Sequence, residues 1–338
     1  MALCVKVEKA HAEETRQKLL AQKLLETKYA PFRDRDFVYF PVKKAPAGMA
    51  VVELSLEERQ TLAGSLRLAL KDKLEEKEIG MLVGSFDIVG DIAVVEIPHE
   101  LEKKEGIIAS EIMRKHRNIR VVAKKLGATS GEFRIRPVKV IAGEPRTHTV
   151  HKEGGCFFEL DLNKVYFSPR LGTERGRIAN LVKPGEKILV PFAGVGPFAI
   201  RIAKKQKDAE VIGIELNPEA VEYFERNIKR NSVRNISAIC GDAKKILPGR
   251  FASWADRVIM PLPKGSGGFL LHAIPCLAKG GILHYYAFGE SAEPFWNAEK
   301  EIEEAAKELG RKTEILFKRV VRPYSKEIVQ VVIDAKIS

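Results

Sequence analysis

Residues Ile188-Leu-Val-Pro-Phe-Ala-Gly-Val-Gly-Pro-Phe-Ala-Ile200 hold an apolar run and a turn with Gly194 and Gly196, and an amphipathic run follows through Ile202 toward Lys204. That order reads as strand, glycine turn and helix, the opening of a nucleotide-binding βαβ unit. A glycine pair alone is weak evidence. The next strand supplies the support, because Glu210-Val-Ile-Gly-Ile-Glu215 ends in an acid about 20 residues after the glycines, where a ribose-binding carboxylate belongs. A third strand, Ile236-Ser-Ala-Ile-Cys240, runs into Gly241-Asp242, a second acid at a strand end.

Two kinds of ligand fit such a unit, a dinucleotide or S-adenosylmethionine. A dinucleotide lays its pyrophosphate on the backbone N–H groups of the helix start, and Pro197 removes one of those donors. Asp242 suits an exocyclic amine of adenine. Glycine turn, ribose acid and adenine acid together favour S-adenosylmethionine. Taken singly, Glu215 or Asp242 reads equally well as a loop acid capping the next helix.

A chain of 338 residues has room for two or three domains, and 45% hydrophobic content is enough for a sizeable core. Its formal charge of +12 suggests an acidic partner, most simply nucleic acid. Cys4, Cys156, Cys240 and Cys276 are far apart and form no Cys-x-x-Cys pair, so free thiols and no zinc site are expected. His148 and His151 are the one pair near metal-ligand spacing, and read better as a solvated strand or turn. No signal-peptide core and no apolar run of about 20 residues is visible, so a cytoplasmic protein with no membrane partner is expected.

Along the chain, Leu3–Val7 reads as a strand, Glu13–Leu25 as a helix and Phe37–Pro41 as a second strand, followed by a linker-like Lys43–Met49. A second domain is expected from near Val51, with a helix over Ser55–Leu74 capped by Ser55. Phe86–Ile97 reads as a hairpin about Gly90-Asp91, Glu105–His116 as a helix and Ile119–Lys124 as a strand. Arg114, Lys115, Arg117, Arg120, Lys124, Lys125, Arg134, Arg136, Lys139 and Arg146 then cluster against only Glu111, Glu132 and Glu144. Such a stretch reads as a solvated face or as a track for phosphates. Gly172-Thr-Glu-Arg175 opens a helix with Glu174 in its first turn, where an acid also suits the helix dipole. Ala255–Pro263 reads as a fourth strand whose Pro261-Leu262-Pro263 end lines a transfer site, and three further strands and two helices complete the sheet.

Several of these segments together resemble the archaeal and eukaryotic type of tRNA (guanine-37-N1)-methyltransferase over essentially the whole chain. They are Leu3-Cys-Val-Lys-Val7, Gly131-Glu-Phe-Arg134, His151-Lys-Glu-Gly154, Tyr166-Phe-Ser-Pro-Arg-Leu-Gly-Thr-Glu-Arg175, Phe192-Ala-Gly-Val-Gly-Pro-Phe198, Glu215-Leu-Asn-Pro218 and Met260-Pro-Leu-Pro263. The resemblance implies an α/β fold: a class I, Rossmann-like methyltransferase domain (156–338) with a mostly parallel seven-stranded sheet, behind two smaller α+β domains. Residues 1–48 would recognise the outer corner of tRNA and 49–155 the anticodon arm. The implied product is N1-methylguanosine beside the anticodon, made by a monomer.

The same resemblance implies Glu174 as general base, Arg134 as the cation facing O6, and Tyr166 against cofactor or target base. Arg136 is the nearest alternative to Arg134, since strand alternation puts both on one side. Implied cofactor contacts are Tyr166, Phe192, Gly194, Val195, Gly196, Glu215, Leu216, Asp242, Ala243 and Pro261, with no metal. Two departures stand out: Val190-Pro191 where the family often has an acid, and Pro261 where it often has Asn. The rivals are a paralogue that transfers the aminocarboxypropyl group of the same cofactor in wybutosine synthesis, an RNA-binding protein with a dead cofactor fold, and a nicotinamide dehydrogenase.

Overall fold

The computed structural model describes residues 1–56, 62–127 and 131–338. The chain divides into two compact units, Met1–Ser85 and Phe86–Ser338.

The first unit contains β1 (Ala2–Glu8), α1 (Ala12–Ala21), β2 (Phe32–Arg33), β3 (Phe37–Pro41), β4 (Val51–Leu54), α2 (Leu62–Leu70) and α3 (Glu76–Met81). Its antiparallel sheet has the order β2-β3-β1-β4, and Val5, Leu19, Val38, Phe40 and Val42 form a core beneath α1. Helix α1 stops short of the expected Leu25 because Lys23 turns left-handed at φ +56° and Leu24 N–H returns to the Leu19 carbonyl, a helix-closing pattern. Val51–Leu54, read from sequence as the start of the middle domain, instead adds an edge to this sheet, with Val52 opposite Cys4. The first turn of the helix expected from Ser55 lies outside the described residues.

The second unit opens with β5 (Asp87–Val89), β6 (Ile92–Val95), α4 (Glu105–Lys115), β7 (Val121–Lys125) and β8 (Val138–Gly143), in the sheet order β5-β6-β7-β8. A hairpin of β9 (His148–Glu153) and β10 (Cys156–Asp161) follows. Residues 131–134, for which strand alternation was expected, form a turn in which Arg134 is left-handed at φ +53°. Strand alternation therefore does not place Arg134 and Arg136 on one side.

The larger sheet is built from α5 (Gly172–Leu181), β11 (Lys187–Pro191), α6 (Pro197–Lys205), β12 (Glu210–Glu215), α7 (Pro218–Arg230), β13 (Ile236–Cys240), α8 (Ala243–Arg250), β14 (Ala255–Met260), α9 (Leu270–Ala273), β15 (Leu277–Glu290), α10 (Trp296–Glu308), β16 (Thr313–Pro323) and β17 (Ile328–Ile337). Its order is β13-β12-β11-β14-β15-β17-β16, with β17 antiparallel to both neighbours. This is the α/β, mostly parallel seven-stranded sheet expected from sequence.

Alternation along β11 shows why these apolar runs are continuous. Ile188 and Val190 enter the core shared with α5, α6 and α7, while Leu189 enters the opposite core with α8, α9 and α10. A strand covered on both faces needs no polar side. The chain winds outward from β11 to β13, then crosses back to β14 on the other side of β11. Ligands bind at such a reversal, beyond the carboxyl ends of the strands.

Candidate active site

The glycine turn between β11 and α6 is shaped by two different needs. Gly196 caps α6 at φ +86°, and a Cβ there would lie 2.2 Å from the ring of Phe224 on α7. Bare backbone at Gly196 lets α6, β12 and α7 close around one buried aromatic. Gly194, at φ +55°, faces open space: the nearest atom to a Cβ would be the Tyr166 carbonyl oxygen, 3.9 Å away. An open left-handed glycine at a strand end is a cradle for a close-approaching ligand.

Glu215 closes one side of that cradle. Its carboxylate accepts the Gly194 N–H at 2.7 Å and the Asn217 N–H at 2.9 Å. Burial pushes its pKa above the usual carboxylate range, against the backbone donors that pull it down. Among the described residues it has no ion-pair partner. A desolvated carboxylate with no cation beside it suits hydroxyl donors such as a ribose diol, and favours a positively charged ligand nearby.

The other expected cofactor contacts divide into cleft and core. Tyr166 and Leu216 are exposed, at 47% and 36%, which leaves their side chains available to flank a ligand. Pro261, just beyond β14, is half-buried. Val195 and Ala243 are buried in the two cores, so their side chains are packing groups. Phe192 sits at φ +62° and lays its ring edge-on to Phe269, 4.6 Å between centroids. Asp242 caps α8 by accepting the Lys244 N–H at 2.9 Å; the capping reading weighed for it is realised. These groups fit an adenosine-bearing cofactor: an open glycine turn, the half-buried Glu215 carboxylate and the strand-end Asp242 stand at the ends of three successive strands.

Arg134 reaches the same edge from the turn before β8. It donates to the Lys264 carbonyl oxygen just beyond β14, and burial lowers its pKa, a shift the neighbouring Tyr166 opposes. The left-handed backbone at Arg134 aims the side chain here, away from the sheet that follows. Arg136 is half-buried, with an Nε that has no hydrogen-bond partner among the described residues.

Glu174 makes none of these contacts. In the first turn of α5 it is 1% exposed, turned into the protein. Its Oε1 accepts from Arg177 Nε and a terminal nitrogen at 2.9 and 2.7 Å and from the Tyr286 hydroxyl at 2.7 Å. Its Oε2 lies 3.1 Å from a terminal nitrogen of Arg319 on β16 without an aligned hydrogen bond. Burial and the Glu174 charge push the Tyr286 phenol far above its ordinary pKa, so it stays a donor. Arg177 is held in turn by Asp334, at 2.6 and 3.1 Å, and Asp334 also bonds His284 at 2.7 Å.

The start of α5 is fixed by a second ion cluster. Glu153 on β9 takes the guanidinium of Arg175 and that of Arg201 on α6, and Arg201 also donates to the Gly172 carbonyl at 2.7 Å. Arg175 is fully buried, near the rings of Phe167 and Phe198. Of this environment only the Glu174–Arg177 spacing of three was visible as a sequence signal. Tyr286 and Asp334 are interior positions and Arg319 is a half-buried one on the edge strand, all far along the chain from Glu174 and with no motif around them.

The basic cluster proves mixed. Arg114 pairs with Glu111, Lys124 with Glu102 and Glu105, and Arg146 with Asp91 and Glu144. Arg117, Arg120 and Lys139 are exposed, with no ion pair among the described residues. Also among the described residues, no group of His, Cys, Asp or Glu is arranged to hold a metal, and no helix is long and apolar enough to cross a membrane.

Comparison with known proteins matches residues 149–316 to the TRM5/TYW2 methyltransferase domain, 66–147 to the TYW2 N-terminal domain and 4–50 to the tRNA methyltransferase 5 N-terminal domain. The chain is 41% identical to the tRNA (guanine(37)-N(1))-methyltransferase Trm5b of Pyrococcus abyssi, over the full length of both. The complex structure of aTrm5 and tRNALeu superposes with a TM-score of 0.71 at 33% identity, covering 99% of this chain and 100% of that one. The Methanocaldococcus jannaschii TYW2 structure in complex with AdoMet gives a TM-score of 0.59 at 26% identity, covering 75% of this chain and 99% of that one.

Proposed function

The chain belongs to the TRM5/TYW2 methyltransferase family, and we propose that it transfers the methyl group of S-adenosylmethionine to N1 of guanosine 37 in tRNA. Full-length similarity to an enzyme of that name supports the activity. The structural observation that carries it is the Glu215 carboxylate fastened to the Gly194 N–H beneath an open glycine turn.

When bound, S-adenosylmethionine supplies a methyl already activated on a sulfonium. Glu215 would hold the ribose hydroxyls, and Asp242 the adenine amine through the oxygen that does not cap α8. Tyr166 and Leu216 would flank the nucleoside, and the backbone of Phe192, Gly194, Val195 and Gly196 would face the methionine end. Ala243 would contribute its backbone and Pro261 a wall. The guanine, stacked in the anticodon loop, must be turned out to reach this edge.

Guanine N1 carries a proton at neutral pH and is a poor nucleophile until that proton leaves. Glu174 would take it, and Arg134 would face the negative charge that builds on O6. Oε1 of Glu174 is already held by Arg177 and Tyr286, so Oε2 is the oxygen left for the proton. Holding donor and acceptor in line supplies much of the remaining barrier reduction. We further propose that the first sheet, through Leu54, recognises the outer corner of tRNA, that the segment from there through β8 meets the anticodon arm, and that the chain from the β9–β10 hairpin onward holds the cofactor and the base.

A second reading, transfer of the aminocarboxypropyl group, is favoured by one observation, the match of residues 66–147 to the TYW2 N-terminal domain. Incubation of cofactor with unmodified tRNA, and in parallel with tRNA carrying 4-demethylwyosine at position 37, followed by nucleoside mass spectrometry, separates the two. The proposal expects 1-methylguanosine at position 37, and an aminocarboxypropyl nucleoside would replace it with the second reading.

A further inference from the structure

Glu174 has two oxygens in unlike states. Oε1 is saturated by three aligned donors. Oε2 is buried and, among the described residues, has no hydrogen bond and one ion-pair contact, the guanidinium of Arg319 at 3.1 Å. Arg177 is pinned on its far side by Asp334 and covered by the Phe317 ring at 4.7 Å. Arg319 has no other hydrogen bond or ion pair among the described residues, and it stands on β16, the edge of the sheet. It is the movable member of the pair.

We infer that Arg319 is a second cation for the target base, exchanging its contact with Glu174 Oε2 for O6 of guanine as the purine enters. The inference rests on the reading of Glu174 as the base. A carboxylate oxygen beside a guanidinium presents an acceptor next to a donor. The N1–H and O6 of guanine present the complement, a donor next to an acceptor, whereas N1 and the 6-amino group of adenine present the reverse order. N1 gives its proton to Oε2 and uses the freed electron pair to bond the methyl carbon, while the carbon–sulfur bonding pair returns to sulfur. Negative charge builds on O6 as the proton leaves, where a fork-shaped guanidinium released from Oε2 can meet it.

The test is a cycle between one side chain and one substrate atom. Wild type, Arg319→Met and Arg319→Lys methylate tRNA carrying either guanosine or 6-thioguanosine at position 37, under single-turnover conditions with saturating enzyme and cofactor. Arg319→Met is expected to slow the guanosine substrate by roughly 10²-fold, the effect of losing one oxyanion donor, with Arg319→Lys intermediate. Replacing O6 by sulfur should then cost Arg319→Met less than it costs wild type, by about threefold or more, the coupling expected of groups in contact. The intrinsic difference between the two bases is common to both enzymes and cancels. Equal sulfur penalties in wild type and variant would overturn the inference; if Arg319→Met does not fold, Arg319→Lys carries the same comparison. Glu174→Gln separates the layers. A wild-type rate there removes the reading beneath, while an inert Glu174→Gln with equal sulfur penalties removes only the Arg319 assignment.

Discussion

Glu215 Oε2 accepts the Gly194 N–H at 2.7 Å, tying the end of β12 to the glycine turn 21 residues earlier. The cradle is therefore held in shape by the same carboxylate that, in the proposed function, would hold the ribose. That carboxylate is half-buried, with its pKa raised by desolvation. Preorganisation here works against stability.

Glu215→Gln separates the two effects. An acid whose folded pKa lies above its unfolded value destabilises the fold once pH rises past the usual carboxylate range, because the unfolded chain ionises first. Thermal unfolding of the ligand-free protein should therefore show the variant more stable at neutral pH, with the gain disappearing in acid. Calorimetry should show the opposite for S-adenosylmethionine, a loss of roughly ten- to a hundredfold in affinity, the range for a hydrogen bond to a charged group. Unchanged affinity would remove Glu215 from the cofactor site.

Asp334 carries the reverse sign. Burial would raise its pKa, but His284 and Arg177 outweigh burial and hold it at about 2. Its contribution is present above the unfolded carboxylate range and is lost as pH falls toward about 2. Asp334→Asn leaves Arg177 without its far-side partner and should cost about 3–5 kcal/mol at neutral pH, as for other broken buried pairs. Denaturant titrations should show the gap between variant and wild type closing in acid; a gap independent of pH would contradict this.

Contacts to phosphate should come from the unpaired part of the basic cluster. Changing Arg117, Arg120 and Lys139 together to Ala should weaken tRNA binding and flatten its dependence on salt by about 2–3 in the log–log slope, near one per lost contact. Arg146→Ala should instead lower stability, since Arg146 is engaged by Asp91 and Glu144. An unchanged salt slope in the triple variant would place the RNA elsewhere.

What the sequence made legible follows the range of the interactions involved. β11, the glycine turn and β12 could be read because their pattern is local: apolar runs, two glycines and an acid at a fixed interval. Val51–Leu54 was misplaced because the linker composition before it hides a return to β1, a pairing set by the partner strand and not by the segment itself. Gly131–Arg136 alternates like a strand yet turns over its first four residues, and nothing local signals a left-handed arginine. Glu174 was singled out through its motif, but its partners Tyr286, Arg319 and Asp334 come from three separate strands. A buried ion network is specified by the packed sheet, so beyond the Glu174–Arg177 spacing neighbouring residues carry no trace of it.

The base assignment is tested most directly by single-turnover methylation of unmodified tRNA by Glu174→Gln at neutral pH, with tRNA affinity measured alongside. Gln keeps the shape and an oxygen for Arg177 and Tyr286 but cannot take the N1 proton. The rate should fall by roughly 10²-fold or more, the range for loss of a general base, with tRNA affinity nearly unchanged. A variant that methylates guanosine 37 at the wild-type rate would contradict the account.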